Sequence, residues 1–360
     1  MLEKVTPRKG DIVEYIATFD VLKYRKTRNH VQGGVSKLSP YITRGVISLP
    51  EIRDIILENN ALADADKFIQ ELTWREYWQQ VWYAKGNAIF SDMRFPRDDW
   101  EHTDLVSSIV TATTGIEVID RSVLELKECG YMHNHARMWT AMLACNVAKA
   151  HWYEMSRWLY YHLFDGDLAS NVLSWQWVAG TNSSKRYVAN QKLINACSDV
   201  SQAYTFLTMP REDVGEGEIP VELREKVSYQ YKTTYPQSDL VDFKTETLLL
   251  YSPWTLDPDW RTKESGERVL VIEPRWFDRF PVSDKVMNFI LTVARIQIPG
   301  CKIWVGNVSD LDLSKETRVF SKSYPAHTDW PGEQDKPDRL FPHVTGYYPS
   351  FFKFWKACQA

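Results

Sequence analysis

The chain has 360 residues, with 43 Lys and Arg against 47 Asp and Glu, a formal net charge of −4 and a pI near 6.1. That balance excludes a protein held on nucleic acid by bulk positive charge, so any such contact must come from local clusters. The 44% hydrophobic content and mean hydropathy of −0.39 are those of an ordinary soluble protein, and the length suggests two domains.

The 15 Trp, 18 Tyr and 15 Phe are an unusually dense aromatic set, suited to core packing or to stacking on a flat ligand. The N-terminal run MLEKVTPRKGDIVEY has no apolar segment of the secretory kind. No stretch nears the ~18 apolar residues of a membrane span, so the expectation is a soluble cytoplasmic protein without a membrane role. Cys129, Cys145, Cys197, Cys301 and Cys358 are scattered without CxxC spacing, which points to free thiols and to no metal site. Two basic clusters, Lys23, Arg25, Lys26, Arg28, His30 and Lys185, Arg186, Lys192, are candidate nucleic-acid contacts. Taken alone, each reads equally as a solvated face.

In chain order, the first 205 or so residues carry helical patterns, with Pro50 at one start and Gly86, Gly115 and Gly130 at ends or joins. The run 116–129 has apolar residues at helical spacing and stops at Gly130, a fitting C′ residue. The stretch 134–162 reads as a buried central helix pair. Residues 208–245 mix turn residues and charges and read as a connecting segment with room for one short helix. Beyond it, TLLLY (247–251), RVLVIE (268–273) and KIWVG (302–306) read as strands, and SDKVMNFILTVARIQ between the last two as an amphipathic helix. Strand–helix–strand implies a βαβ unit. The turn EPRWFDRF lacks the glycines of a nucleotide-binding loop. The expected division is a helical domain 1–207, a connector 208–245 and a small α/β domain 246–360.

Four segments of the helical part carry chemistry. In GGVSKLSPYITRGVIS (33–48), Ser36, Lys37, Leu38 and Ser39 precede Pro40, which opens a helix; hydroxyls and free N–H groups there suit a phosphate, or an ordinary helix cap by the serine before proline. In FIQELTWREYWQQVW (68–82), Glu71, Trp74, Arg75 and Trp78 share one helix face, suited to a flat hydrogen-bonding ligand or to a Glu–Arg pair among core indoles. In GYMHNHARMW (130–139), Asn134, Arg137 and Met138 share a face, while His133 and His135 at i, i+2 point apart, against a metal pair. In DGDLASNVLSWQW (165–177), Asp165 or Asp167 begins a helix on which Asn171 and Trp175 lie one turn apart, and the rest of a calcium loop is missing.

Together, SKLSPY, ELTWREYW, GYMHNHARM and DGDLASNVLSWQW, in this order, resemble the FAD-binding domain of the DNA photolyase/cryptochrome family over about residues 20–205. The resemblance implies an α-helical FAD-binding domain followed by the small α/β domain. It implies phosphate and ribityl contacts at Tyr24, Ser36, Lys37, Leu38 and Ser39, and a further cofactor ligand at Arg75. It places an Arg137–Asp165 pair beside the flavin ring, Asp167 as acceptor for flavin N3–H and Asn171 facing N5.

The activity so implied is light-driven electron transfer that splits cyclobutane pyrimidine dimers in damaged DNA. Glu71 and Asn134 would hydrogen-bond the lesion, Met138 would pack beside it, and Trp74 and Trp177 would stack on it. Trp175 and Trp152 match the inner members of the family's tryptophan relay. Imidazoles at positions 134 and 138 would instead indicate the (6-4) lesion, which needs a proton donor there.

Three departures accompany the match. The third relay position falls near Ile109, the basic DNA contact falls on Asn190, and almost nothing precedes residue 20 where the family has its antenna domain. The alternatives are a cryptochrome-like blue-light receptor with a protein partner, and a flavoprotein redox role without light.

Overall fold

The computed structural model describes residues 7–360. Its first half contains α1 (Lys9–Ala17), α2 (Val21–Thr27), α3 (Ser39–Thr43), α4 (Leu49–Asn59), α5 (Leu62–Lys85), β1 (Leu105–Val106), α6 (Ser107–Thr111), α7 (Glu117–Cys129), α8 (Asn134–Met142), α9 (Trp152–His162), α10 (Leu168–Ala179) and α11 (Gln191–Ala196). There follow β2 (Lys226–Val227), β3 (Thr247–Tyr251), β4 (Glu267–Ile272), α12 (Pro274–Phe277), α13 (Asp284–Gln297), β5 (Lys302–Val305), β6 (Arg318–Lys322), β7 (Glu333–Asp335) and α14 (Phe351–Cys358). A helical region followed by a parallel-sheet α/β region is the architecture expected from the sequence.

The described residues form two compact units, one of residues 7–21, 36–77 and 232–360, the other of 22–35 and 78–231. These bounds differ from the expected division into 1–207, 208–245 and 246–360. The reason is long-range packing that local patterns do not display. The Lys9 N–H donates to Gln297 Oε1 at 3.1 Å, and Arg44, 2% exposed, donates to the Pro253 carbonyl at 3.2 Å. Glu76, 4% exposed, accepts from the Leu340 and Phe341 N–H groups at 2.5 and 3.2 Å. The early helices α1, α3, α4 and most of α5 therefore belong with the sheet. The segment leading to Tyr231 belongs with the helices, to which β2 is tied by antiparallel pairing with β1.

In the helical unit, α7 buries Val118, Ile119, Val123 and Leu126 and ends at Gly130 with φ +67°, where a Cβ would run into the Phe164 ring. Helix α8 runs on through a wholly buried π-helical turn, Leu143–Val147. The pair α9 and α10 packs side by side, and α10 begins at Asp167, whose carboxylate accepts from the Ser170 N–H at 3.0 Å.

In the other unit the five-stranded sheet is parallel throughout, ordered β5-β4-β3-β6-β7. Strand β3 is buried along its whole length, as a strand covered on both faces must be, and α13 is the crossover between β4 and β5. Strand order reverses between β3 and β6. There the segments after the two strands supply Trp254, Tyr324, His327 and Trp330, all under 10% exposed. Trp254 stacks on Tyr324 at 5.2 Å, and His327 on Trp330 at 4.2 Å.

Candidate functional site

A cavity of about 120 Å³ opens in the helical unit between α8, α9 and α10. Arg137 on α8 donates through Nη2 to both Asp165 oxygens at 2.8 and 3.0 Å, and through Nε to the Met132 carbonyl at 2.8 Å. This ion pair sits at the cavity wall with the Asp165 side chain 5% exposed. Asp167, 1% exposed, caps α10 through Oδ2, while Oδ1 accepts from Gln79 Nε2 at 3.4 Å. Asn171 donates its Nδ2 to the Ser156 carbonyl at 2.9 Å. A carbonyl only accepts, so the amide nitrogen must face Ser156, and the amide oxygen is left for the cavity. Trp175, 2% exposed, completes this wall. At the rim, exposed Asn134 and half-buried Met138 lie one turn apart, with Asn134 Nδ2 3.7 Å from Met138 Sδ. Trp177 on α10 is 36% exposed and its ring lies 5.9 Å from that of Tyr187.

The expected residues Ser36, Lys37, Leu38, Ser39, Glu71, Trp74 and Arg75 belong to the sheet-bearing unit, and Tyr24 to the helical one. Ser36, Lys37 and Ser39 are half-buried and Leu38 is buried, so Leu38 offers a ligand its backbone more than its side chain. Lys37 sits in the left-handed region at φ +53°, an uncommon and costly conformation for a lysine. Helix α3 has only five residues, so its dipole adds little to phosphate binding. On α5, Glu71 pairs with Lys67 at 2.8 Å, Arg75 is half-buried, and Trp74 gives one face to Phe351 of α14 at 3.7 Å with 10° between the rings. That stack was not foreseen, since the two residues lie in distant parts of the sequence.

A family model described as the FAD binding domain of DNA photolyase matches residues 68–248, just over half of the chain. This chain belongs to the DNA photolyase family. A deoxyribodipyrimidine photo-lyase of Streptomyces griseus is 34% identical over 152 residues, 42% of this chain and 33% of the relative. One of Vibrio cholerae is 28% identical over 253 residues, 64% of this chain and 52% of the relative. A cryptochrome DASH of Gloeobacter violaceus is 28% identical over 186 residues, 48% of this chain and 37% of the relative. The chain thus spans between a third and about half of the length of these relatives. The solved cryptochrome of Synechocystis matches with a TM-score of 0.48 at 24% identity, over 54% of this chain and 44% of that one.

The photolyase domain's cofactor is FAD, and the cavity residues fit one end of it. A flavin ring presents an N–H donor beside carbonyl acceptors. The cavity presents the Asp167 carboxylate, the Arg137 guanidinium and the Asn171 amide oxygen. At about 120 Å³ it is smaller than the roughly 300–1,000 Å³ pockets that enclose whole ligands of this size, and has room for only a part of such a molecule. Among the described residues no cluster of three His, Cys, Asp or Glu could hold a metal, and no helix is long and apolar enough to cross a membrane.

Both inner relay tryptophans of the photolyase pattern are buried, Trp175 at 2% and Trp152 at 0% exposure, on the packed helices α10 and α9. Ile109, expected near the third relay position, is fully buried core on α6. Other aromatic rings adjoin Trp152. Trp152 stacks on His151 at 5.4 Å, and His151 meets half-buried Trp100 edge-on at 5.1 Å. Trp100 escaped the sequence reading because it lies in a loop without periodicity, and only its neighbours mark it. Asn190, expected at a DNA contact, is committed as a cap: Oδ1 accepts from the Leu193 N–H at 3.1 Å and Nδ2 donates to the Met209 carbonyl at 3.0 Å. Arg186 pairs with Asp99 at 3.1 Å. Lys23, Lys26 and His30 line a separate open pocket of about 340 Å³ in the helical unit.

Proposed function

We propose that this protein performs light-driven repair of cyclobutane pyrimidine dimers in DNA. The observation that carries the reading is the cavity rim, where Asn134 and Met138 stand beside the buried Arg137–Asp165 pair. When bound, the flavin supplies light absorption and one-electron chemistry. Arg137, Asp165, Asp167 and Asn171 hold and orient its ring, and Tyr24, Ser36, Lys37, Leu38, Ser39 and Arg75 are the proposed contacts for the rest of the cofactor.

Toward the lesion, Asn134 and Glu71 donate or accept hydrogen bonds that hold the anionic form of the split ring, Met138 packs beside it, and Trp74 and Trp177 stack on it. Stacking of this kind contributes roughly 1–3 kcal/mol per base, against a few kcal/mol for extruding a damaged pair. Trp175, Trp152 and Trp100 form the proposed route by which electrons reach the flavin. Lys23, Lys26 and His30 suit a backbone phosphate, a local cluster of the kind an acidic protein needs.

The cyclobutane dimer is favoured over the (6-4) lesion because neither position 134 nor position 138 carries an acid. Burial pushes the His133 imidazole down to about 4, its Nδ1 accepts from the His135 N–H at 3.1 Å, and it is therefore neutral near pH 7. An amide and a thioether at 134 and 138 cannot donate that proton.

A second reading, a blue-light receptor, is supported by the Phe351–Trp74 stack, which covers a face of the indole that lesion binding would use. Illumination of two oligonucleotides, one with each lesion, by the purified FAD-loaded protein tests the proposal, with a dark control. Light-dependent loss of the cyclobutane dimer alone is expected. No repair of either lesion, with intact photoreduction, would favour the receptor.

A further inference from the structure

The middle relay tryptophan is not in an apolar socket. Trp152 is fully buried, yet its Nε1–H donates to Asp92 Oδ1 at 2.8 Å. The same carboxylate oxygen lies 3.8 Å from His151 Nε2, with the Asp92 side chain 18% exposed. Other groups hold this loop in place. Gln176, fully buried and next to Trp175 in sequence, accepts from the Met93 N–H at 3.0 Å and donates to the Ile89 carbonyl at 2.7 Å. The Arg94 and Phe95 N–H groups both donate to the Thr181 carbonyl, at 2.9 and 3.0 Å. The chain on both sides of Asp92 is therefore fastened to α10, so the carboxylate is preorganised against the indole.

At Trp100 the charges are arranged the other way. The Arg97 guanidinium lies 3.9 Å over that ring. Its own carboxylate partner, Asp99, is held down to about 2 by the Arg97 hydrogen bonds.

We propose that Asp92 is the counter-charge of oxidised Trp152 and makes this buried indole, in preference to Trp100, the place where the positive charge rests during photoreduction. This deepens the relay reading above and rests on it. One electron leaves Trp175 for the photoexcited flavin, and Trp152 replaces it. The charge left on Trp152 is then shared through Nε1–H···Oδ1 with Asp92. An external thiol returns the electron. Two such turns convert oxidised flavin and two thiols into reduced flavin and one disulfide, the two thiol protons ending on the flavin through solvent. A carboxylate in direct contact with a buried cation acts at low effective dielectric, where a unit charge has its largest effect. An indole N–H carrying partial positive charge is also a stronger donor, so the same hydrogen bond strengthens on oxidation.

The test uses the full FAD-loaded chain with 15N-labelled tryptophan, and three variants. Asp92→Asn keeps an acceptor oxygen and removes the charge, Asp92→Glu keeps the charge, and Trp152→Phe removes the relay member. Transient absorption reads the yield of long-lived oxidised tryptophan, and NMR reads the Trp152 indole N–H resonance before light. Asp92→Asn is expected to lower the yield about tenfold while the indole resonance stays hydrogen-bonded, with Asp92→Glu recovering most of it. An unchanged yield in Asp92→Asn would overturn the proposal. So would a lowered yield accompanied by a displaced resonance in Asp92→Asn and normal behaviour nowhere else in the series, since that is a positioning defect. Trp152→Phe separates the two levels: if it leaves flavin photoreduction at the parent rate, the relay reading itself has failed, and the counter-charge with it.

Discussion

The carboxyl end of the parallel sheet is filled by packed aromatic rings, whereas the cavity beside α10 is lined by polar and aliphatic side chains with one indole, Trp175. At the reversal of strand order between β3 and β6, where open α/β sheets usually hold a ligand, the space is filled by Trp254, Tyr324, His327 and Trp330. Part of the polar surface there is satisfied within the chain: Glu273, 4% exposed, accepts from Trp330 Nε1 at 2.9 Å and from the Val308 N–H at 3.0 Å, and His327 Nε2 lies 2.9 Å from Ser252 Oγ, while Trp254 Nε1 and His327 Nδ1 are buried without a hydrogen-bond partner. In the helical unit Asn171 and the Arg137–Asp165 pair line an open cavity instead. Fold position alone does not make a site. What marks one is an open cavity walled by polar side chains.

The largest expected effects test whether that contrast is energetic. Asp165→Ala leaves the Arg137 guanidinium without its carboxylate in a largely buried wall, and breaking such a pair typically costs about 3–5 kcal/mol. Flavin content should fall with stability, read by denaturant midpoint and by absorbance of the purified protein. Phe351→Ala removes a ring that is 3% exposed and stacked on Trp74, and losses of about 3–5 kcal/mol are usual for such truncations. Here flavin absorbance per folded chain should remain unchanged. Equal flavin loss in both variants would break the distinction between a packed region and a site.

Acid titration sharpens the comparison, because each unit buries a neutral histidine. Burial pushes His133 down to about 4 and His327 down to about 3, from an ordinary 6.5. Between those values the unfolded chain holds protons that the folded chain does not, so stability is full above pH 6.5 and falls as pH drops through the window. For His133 the fall amounts to about 3 kcal/mol once pH is below about 4. Denaturant midpoints between pH 7 and 4 should decline in the parent chain, and His327→Gln should flatten the decline. A parent midpoint independent of pH over that range would show that neither imidazole is buried neutral.

Much of the helical unit was legible in the sequence. The stripe Val118, Ile119, Val123, Leu126 with Gly130 after it defines α7, and Asp167 begins α10, because caps and 3.6-residue periods are local properties. Strands β3, β4 and β5 and the crossover α13 were legible for the same reason. Strands β6 and β7 were not. RVFSK and EQD carry charges and polar groups, and they become strands only because β3 and β6 offer them a parallel edge to pair with. The same limit hid the placement of α1, α3 and α4 with the sheet, the Phe351–Trp74 stack and Trp100. Site residue types could be named from their motifs, but what each one touches is decided by chain segments far away in sequence.

The smallest expected effect separates two duties of one residue. Asp167 Oδ2 accepts from Ser170, through N–H at 3.0 Å and Oγ at 2.5 Å, and so closes the first turn of α10. Its Oδ1 accepts from Gln79 Nε2 at 3.4 Å, a long bond, and the residue lines the cavity. Asparagine caps helices about as well as aspartate, so Asp167→Asn should change stability by no more than about 0.5 kcal/mol, whereas Asp167→Ala should cost about 1 kcal/mol by losing the cap. The cavity side responds differently. A carboxylate accepts from a ring N–H whichever way it lies, but an amide does so through its oxygen alone, and the cap competes for that oxygen. Flavin affinity should therefore fall in both variants, by a similar factor, although only the alanine variant loses stability. Equilibrium dialysis against FAD, set beside the denaturation curves, measures both quantities. If the asparagine variant bound flavin as the parent does, Asp167 would be a structural cap alone, and the cavity would owe its flavin contacts to Arg137, Asp165 and Asn171.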